Sequence, residues 1–142
     1  MCFIIFIIPT IGRNTLIESI NSIMKLNGNY EWKILIIFDG IENNLIDLNK
    51  NNNIIILETE KCGNINIKNN GGMVRNKGIN YLIDNKIESK YIGFLDDDDT
   101  LHPEYINNLL KEEKLFNFDC IIFRMMYQNY NIVPHPLTRN IE

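Results

Sequence analysis

The sequence predicts an α/β fold, a three-layer sandwich doubly wound around a mainly parallel central sheet. Three observations carry that expectation. Short runs rich in Ile alternate with longer amphipathic ones along most of the 142 residues. The links between them are short, so successive strand–helix–strand units close as right-handed crossovers. The runs are also apolar at consecutive positions, as strands covered on both faces must be.

Each element follows in turn. Residues 2–8 (CFIIFII) form the first strand, stopped by Pro9. A helix comes next, with Thr15 and Glu18 spaced as a capping box and an apolar stripe of Leu16, Ile17, Ile20, Ile23 and Met24. Residues 32–38 (WKILIIF) read as a second buried strand, ended by Asp39-Gly40, and a short polar helix over 42–50 leads to a third strand at 54–57. Residues 58–72 read as a loop. Gly71-Gly72 opens a helix over 73–85, with Val74, Tyr81 and Leu82 facing inward. A fourth strand, 91–95, runs into four consecutive aspartates, Asp96 to Asp99. Pro103 suits the first turn of a further helix, which Asp99 or Thr100 could cap while Asp98 remains open to a ligand. Residues 119–126 (DCIIFRMM) read as a fifth strand, in which Met125 and Met126 fill core. The whole, residues 1–142, is expected to be one domain.

Composition excludes several classes. The net charge of −4 lacks the basic excess that nucleic-acid binding by charge attraction uses. No apolar run approaches the roughly 18 residues of a membrane span. Cys2, Cys62 and Cys120 are too far apart for a metal knuckle and odd in number, which suits reduced thiols and a cytosolic location. Ile occurs 27 times, Asn 23 times and Ala never. Such usage resembles the codon pressure of an AT-rich genome and would suit a viral protein in host cytoplasm or virion. Asn also blurs helix propensity, so periodicity is the safer guide.

In a parallel sheet of this kind the ligand crevice lies beyond the carboxyl ends of the strands. Those ends carry Thr10 with Arg13, then Asp39, then Asp96 to Asp99. Alternation along a strand would put Asp96 and Asp98 on one face and Asp97 and Asp99 on the other. Oxygen ligands held that way suit a hard divalent ion; an acidic turn capping the next helix is the plainer alternative. Asp39 could accept hydrogen bonds from a base or ribose, or simply belong to an Asp-Gly turn. Arg75, in the first turn of a glycine-opened helix, would suit a phosphate, or be a solvated helix charge. No dinucleotide fingerprint, P-loop or serine-hydrolase elbow is present. His102 and His135 lack partners at zinc spacing.

Four segments in this order, IIPTIGR (7–13), IIFDG (36–40), GGMVRNKGI (71–79) and FLDDDDTLHPEYI (94–106), resemble the nucleotide-sugar-binding half of family 2 glycosyltransferases, which have the Rossmann-like GT-A fold. The resemblance implies that Thr10 and Arg13 line a nucleotide pocket, that Asp39 contacts the base, usually uracil, and that Arg75 helps to hold the nucleotide. Asp96 and Asp98 match the family's D-x-D, with Asp96 near the ribose and Asp98 on a Mn²⁺ or Mg²⁺ ion; Asp97 fills the variable position in the donor site. Asp96 and His135 are weaker candidate metal ligands.

The activity implied is metal-dependent, inverting transfer of a sugar from a UDP-linked donor to an acceptor the sequence does not name. The family's acceptor-binding segment, with its carboxylate general base, is expected to be largely absent from these residues, and neither Asp119 nor Glu142 sits in a matching motif. A donor-binding module without transferase activity, or one that depends on a partner chain, fits the same residues, as does an interaction domain with an empty site. Exposed apolar residues from Met125 to Tyr130 would pair with a second copy, giving a homo-oligomer.

Overall fold

The structure, a computed structural model, describes residues 2–41, 51–62, 71–123, 125–126 and 132–133. The helix expected over 42–50 lies outside them. The chain divides into two compact units, Met1–Asn108 and Leu109–Glu142.

The first unit is built on four strands: β1 (Cys2–Thr10), β2 (Trp32–Asp39), β3 (Ile54–Thr59) and β4 (Ser89–Phe94). They form one sheet in the order β3-β2-β1-β4, every pair parallel. The two central strands are the two with unbroken apolar runs. Ile4 to Ile8 and Ile34 to Phe38 are all essentially excluded from solvent, and each such side chain contributes about 1.5–3 kcal/mol on burial. A polar residue within either run would have faced a helix, not water.

Helices cover the sheet on both sides. On one face α2 (Gly71–Asp84) lays Val74 and Leu82 against Ile5, Ile7, Leu35 and Ile37, with Tyr81 packed at the margin. Gly78 allows the close approach: a Cβ there would stand 2.6 Å from Ile37 Cδ1 and 3.1 Å from Ile7 Cγ2. Phe6 points to the opposite face and meets Tyr105, ring centroids 5.9 Å apart. Tyr105 begins α3 (Tyr105–Leu115). Asn27, just past α1 (Leu16–Met24), donates its backbone N–H to the Pro103 carbonyl at 2.9 Å and its side-chain amide to Glu104. Those bonds tie the end of α1 to the approach to α3.

Several expectations need correction. Thr15 makes no side-chain cap bond; its φ of −64° and ψ of −21° are helical, whereas a capping hydroxyl needs extended backbone at that residue. Its carbonyl instead accepts the Glu18 and Ser19 N–H groups. The buried stripe of α1 is Leu16, Ser19, Ile20 and Ile23, while Ile17 and Met24 are exposed. Neither Asp99 nor Thr100 caps α3: His102 Nδ1 accepts the Glu104 N–H at 3.2 Å and the His102 carbonyl accepts that of Tyr105.

In the second unit the fifth strand shrinks to β5 (Met125–Met126), antiparallel to β6 (Ile132–Val133). Residues 119–123 are irregular, and Ile122 is 79% exposed. An apolar run needs a paired neighbour as well as hydrophobicity to become strand. Met125 and Met126 are also exposed, so they are not core filling.

Candidate functional site

The register of the sheet brings the polar strand ends to one rim. Thr10 stands level with Phe38, and Asp39 with Thr59. Past β4, the Leu95 N–H still bonds the Ile7 carbonyl at 3.2 Å, which delivers the four aspartates beside the end of β1. There the strand stops and a turn begins, closed by the Asp99 N–H on the Asp96 carbonyl at 3.1 Å. Strand alternation therefore fails for these residues. Asp97 and Asp98 reach the same guanidinium, Arg13, while Asp96 pairs with Arg75.

Asp97 is the fixed point of the cluster. It is only 5% exposed. Its Oδ2 accepts the Thr10 hydroxyl at 2.6 Å, and Thr10 Oγ1 in turn accepts the Gly12 N–H at 2.9 Å. Its Oδ1 lies 3.3 Å from Arg13 Nη1. A buried carboxylate needs such donors, since an unpaired one would be strongly disfavoured. Asp98 is exposed, and Arg13 Nη1 donates to its Oδ2 at 2.7 Å.

The Arg75 guanidinium lies 6.0 Å from the centre of the Phe94 ring, and its buried Nε has no hydrogen-bond partner among the described residues. Burial raises the Asp99 carboxyl above its ordinary range, and the charges of Asp96 and Asp98 raise it further. The turn sets four aspartates, Asp96 to Asp99, beside two arginines, Arg13 and Arg75.

On the other side of Thr10 the rim continues to Asp39, which is buried; its Oδ1 accepts the Cys62 N–H at 2.6 Å. Gly12, with φ +81°, lies against Ile41, and Gly40, with φ +75°, lies against Lys61. Gly40, Ile41, Glu58, Thr59, Glu60 and Lys61 line an open cleft of about 470 Å³ next to Asp39. The chain Lys61–Gly40–Ile41–Gly12–Arg13–Asp98 is thus physically continuous. Thr10, Arg13, Asp39, Arg75 and Asp96 to Asp98 share one edge of the first unit; His135 lies outside the described residues.

Two positioning residues carry no clear mark in the sequence pattern. Ser19, fully buried on α1, lies 3.4 Å from the Asp96 carbonyl, and Ser22 Oγ accepts the Leu101 N–H at 3.0 Å. The first hydroxyl reaches the start of the aspartate turn and the second the segment just after it. A polar residue at a stripe position of an otherwise apolar helix face was the available signal, as with Ser19 between Leu16 and Ile23.

Among the described residues no three His, Cys, Asp or Glu side chains converge as a metal cage. The donor chemistry nonetheless fits a hard ion of the Mg²⁺ type, which takes one or two carboxylates and completes its shell with substrate phosphates and water. Asp98, exposed at the rim, could serve as one such carboxylate, and Asp96, paired with Arg75, as a second.

The family model for glycosyl transferase family 2 matches residues 5–141. The chain belongs to that family. No curated protein matches it significantly. Among solved structures, the family 2 chain is similar to TarS of S. aureus, residues 1–349, with TM-score 0.60 and 17% identity over 80% of this chain and 32% of that one. TarS 1–349 in complex with UDP-GlcNAc gives 0.57 and 17%, covering 80% and 31%. Its complex with UDP gives 0.57 and 19%, covering 80% and 32%. At these identities the likeness establishes the shared GT-A-like α/β fold. The family 2 chain spans about a third of the length of these neighbours. Among the described residues no helix is long and apolar enough to cross a membrane.

Proposed function

We propose that this family 2 chain is a glycosyltransferase that binds a nucleotide-sugar donor, UDP-linked, across the carboxyl rim of its sheet and transfers the sugar with inversion to an acceptor. The observation that carries the reading is the convergence at that rim of Thr10, Arg13, Asp39, Arg75 and the aspartate turn. Support comes also from TarS, whose structure is known with UDP-GlcNAc.

In this reading residues 1–142 are the donor-binding domain. The cleft beside Asp39 takes the base, and Asp39 contacts it. Asp96 serves the ribose. Arg13 and Arg75 bring two guanidinium groups to the diphosphate, where anionic oxygens accept paired N–H bonds. Asp97 acts by holding Arg13. Asp98, aided by Asp96, would hold Mn²⁺ or Mg²⁺, and an ion there supplies charge stabilisation to the departing diphosphate. The arginines contribute to the same stabilisation, because in sugar transfer the bond from the anomeric carbon to the diphosphate oxygen breaks and negative charge accumulates on the leaving group. The reduced thiols Cys2 and Cys62, both buried, suit a reducing compartment such as host cytoplasm. Exposed Met125 and Met126 would support pairing with a second copy, which sedimentation would detect.

The experiment is a donor screen by thermal shift and product release. UDP with Mn²⁺ should raise the melting temperature, and UDP release from a UDP-sugar should require Mn²⁺ and vanish in Asp98→Ala. Stabilisation without turnover would make the chain a donor-binding module. No response to any nucleotide would refute the proposal.

A further inference from the structure

Resting on the metal-dependent reading above, we infer that Arg13 is a built-in counter-cation: it occupies Asp98 until the donor arrives, then exchanges Asp98 for the diphosphate while staying tethered to Asp97. The two carboxylates that Arg13 touches differ in kind. Asp97 is buried and held independently by the Thr10 hydroxyl at 2.6 Å, so it cannot follow a moving partner. Asp98 is half exposed, as is Arg13 itself, and their contact at 2.7 Å faces solvent.

An exposed ion pair opens easily; a buried carboxylate gives up its donors far less readily. One guanidinium nitrogen thus has a buried contact, 3.3 Å from Asp97 Oδ1, and a shorter but solvent-exposed one, 2.7 Å from Asp98 Oδ2, on the carboxylate proposed to bind metal; burial, not bond length, makes the first the costlier to give up. A guanidinium has five N–H donors in a fixed fork. Keeping one on Asp97 leaves others for phosphate oxygens.

The exchange has two consequences of opposite sign. Without nucleotide, Arg13 competes with a divalent ion for Asp98, so removing the guanidinium should tighten the binding of the ion alone. With nucleotide present, the same guanidinium contributes to binding, so removing it should weaken the hold on UDP. A guanidinium that merely lined the pocket would give only the second effect. One that merely neutralised the acidic rim would act like any nearby positive charge.

The test is Mn²⁺ titration followed by electron paramagnetic resonance, on the full chain without nucleotide. Arg13→Gln should bind Mn²⁺ about fivefold more tightly than the parent, the most that an exposed pair generally contributes. Lys77→Gln removes the same charge from a lysine whose ammonium bonds the Glu60 carbonyl at 2.8 Å, and should change Mn²⁺ affinity less than twofold. Asp98→Asn should abolish the binding in both backgrounds. UDP titrated in saturating Mn²⁺ should bind Arg13→Gln at least fivefold more weakly.

Equal Mn²⁺ affinity in the parent and Arg13→Gln, still lost in Asp98→Asn, would overturn the exchange and leave the metal reading intact. Equal tightening in Lys77→Gln, or unchanged UDP affinity in Arg13→Gln, would also overturn it. Absence of Mn²⁺ binding at Asp98 in every variant would overturn both.

Discussion

Replacing Thr10 by Val tests how the aspartate turn is held. The side chain keeps its shape but loses the hydroxyl that donates to buried Asp97 at 2.6 Å and accepts the Gly12 N–H at 2.9 Å. A hydrogen bond to a charged group contributes about 1.5–3 kcal/mol, and leaving the buried carboxylate short of a donor puts the loss in that range. The Gly12 N–H is partly exposed and can turn to water, so it adds little. The expected loss is about 2–3 kcal/mol, or about 6–9 °C in melting temperature for a domain of this size. Urea unfolding should show a lower midpoint with an unchanged slope. In an Asp97→Asn background, where the acceptor is neutral, the same substitution should lose about 1 kcal/mol less, a coupling of the size that contacting groups show. A Thr10→Val variant within about 0.5 kcal/mol of the parent, the spread of ordinary surface substitutions, would refute the argument that Asp97 is pinned by Thr10.

Three further outcomes follow from the same structure. Gly78→Ala gains about 1 kcal/mol of helix propensity but forces a methyl against Ile37 and Ile7, which typically loses about 1–3 kcal/mol, so urea unfolding should show a variant no more stable than the parent and up to about 2 kcal/mol less so. Gly40→Ala would hold a Cβ at φ +75° and 2.5 Å from Lys61 Cβ; it should lose about 1–2 kcal/mol from backbone strain alone, and UDP affinity should fall with it because Asp39 precedes it in the chain. Burial raises the Tyr105 phenol above its ordinary value of 10.0. The neutral form is thus favoured in the folded chain, so stability should be full below pH 10 and decline as pH rises through the folded value; melting curves from pH 8 to 11 should show that decline, flattened in Tyr105→Phe.

The legible parts of the sequence were those where one physical demand dominates. Residues 4–8 and 34–38 sit in central strands covered on both faces, and only an unbroken apolar run satisfies that. The meeting of the polar strand ends was legible because a parallel sheet collects its strand ends on one side, so Thr10, Asp39 and Asp96 had to come to one rim once the strands were placed. Illegible were features decided by local geometry. Residues 119–123 carry the same kind of run as β1, yet hydrophobicity does not supply a neighbouring strand. Asp96 to Asp99 leave the strand for a turn closed by the Asp99 N–H on the Asp96 carbonyl, a local bond that side-chain alternation does not reveal. Ser19 and Ser22 look like ordinary helix polar residues, since a serine hydroxyl can serve its own helix as well as a distant loop.

Paramagnetic broadening by Mn²⁺ of the amide NMR signals, recorded with UDP bound, reaches the central claim most directly. The account predicts that signals from residues 10–13 and 96–99 disappear first, those near Gly40 and Arg75 follow, and the effect is lost in Asp98→Asn. Broadening that spares the aspartate turn while UDP remains bound would contradict the claim that this rim holds the donor's diphosphate.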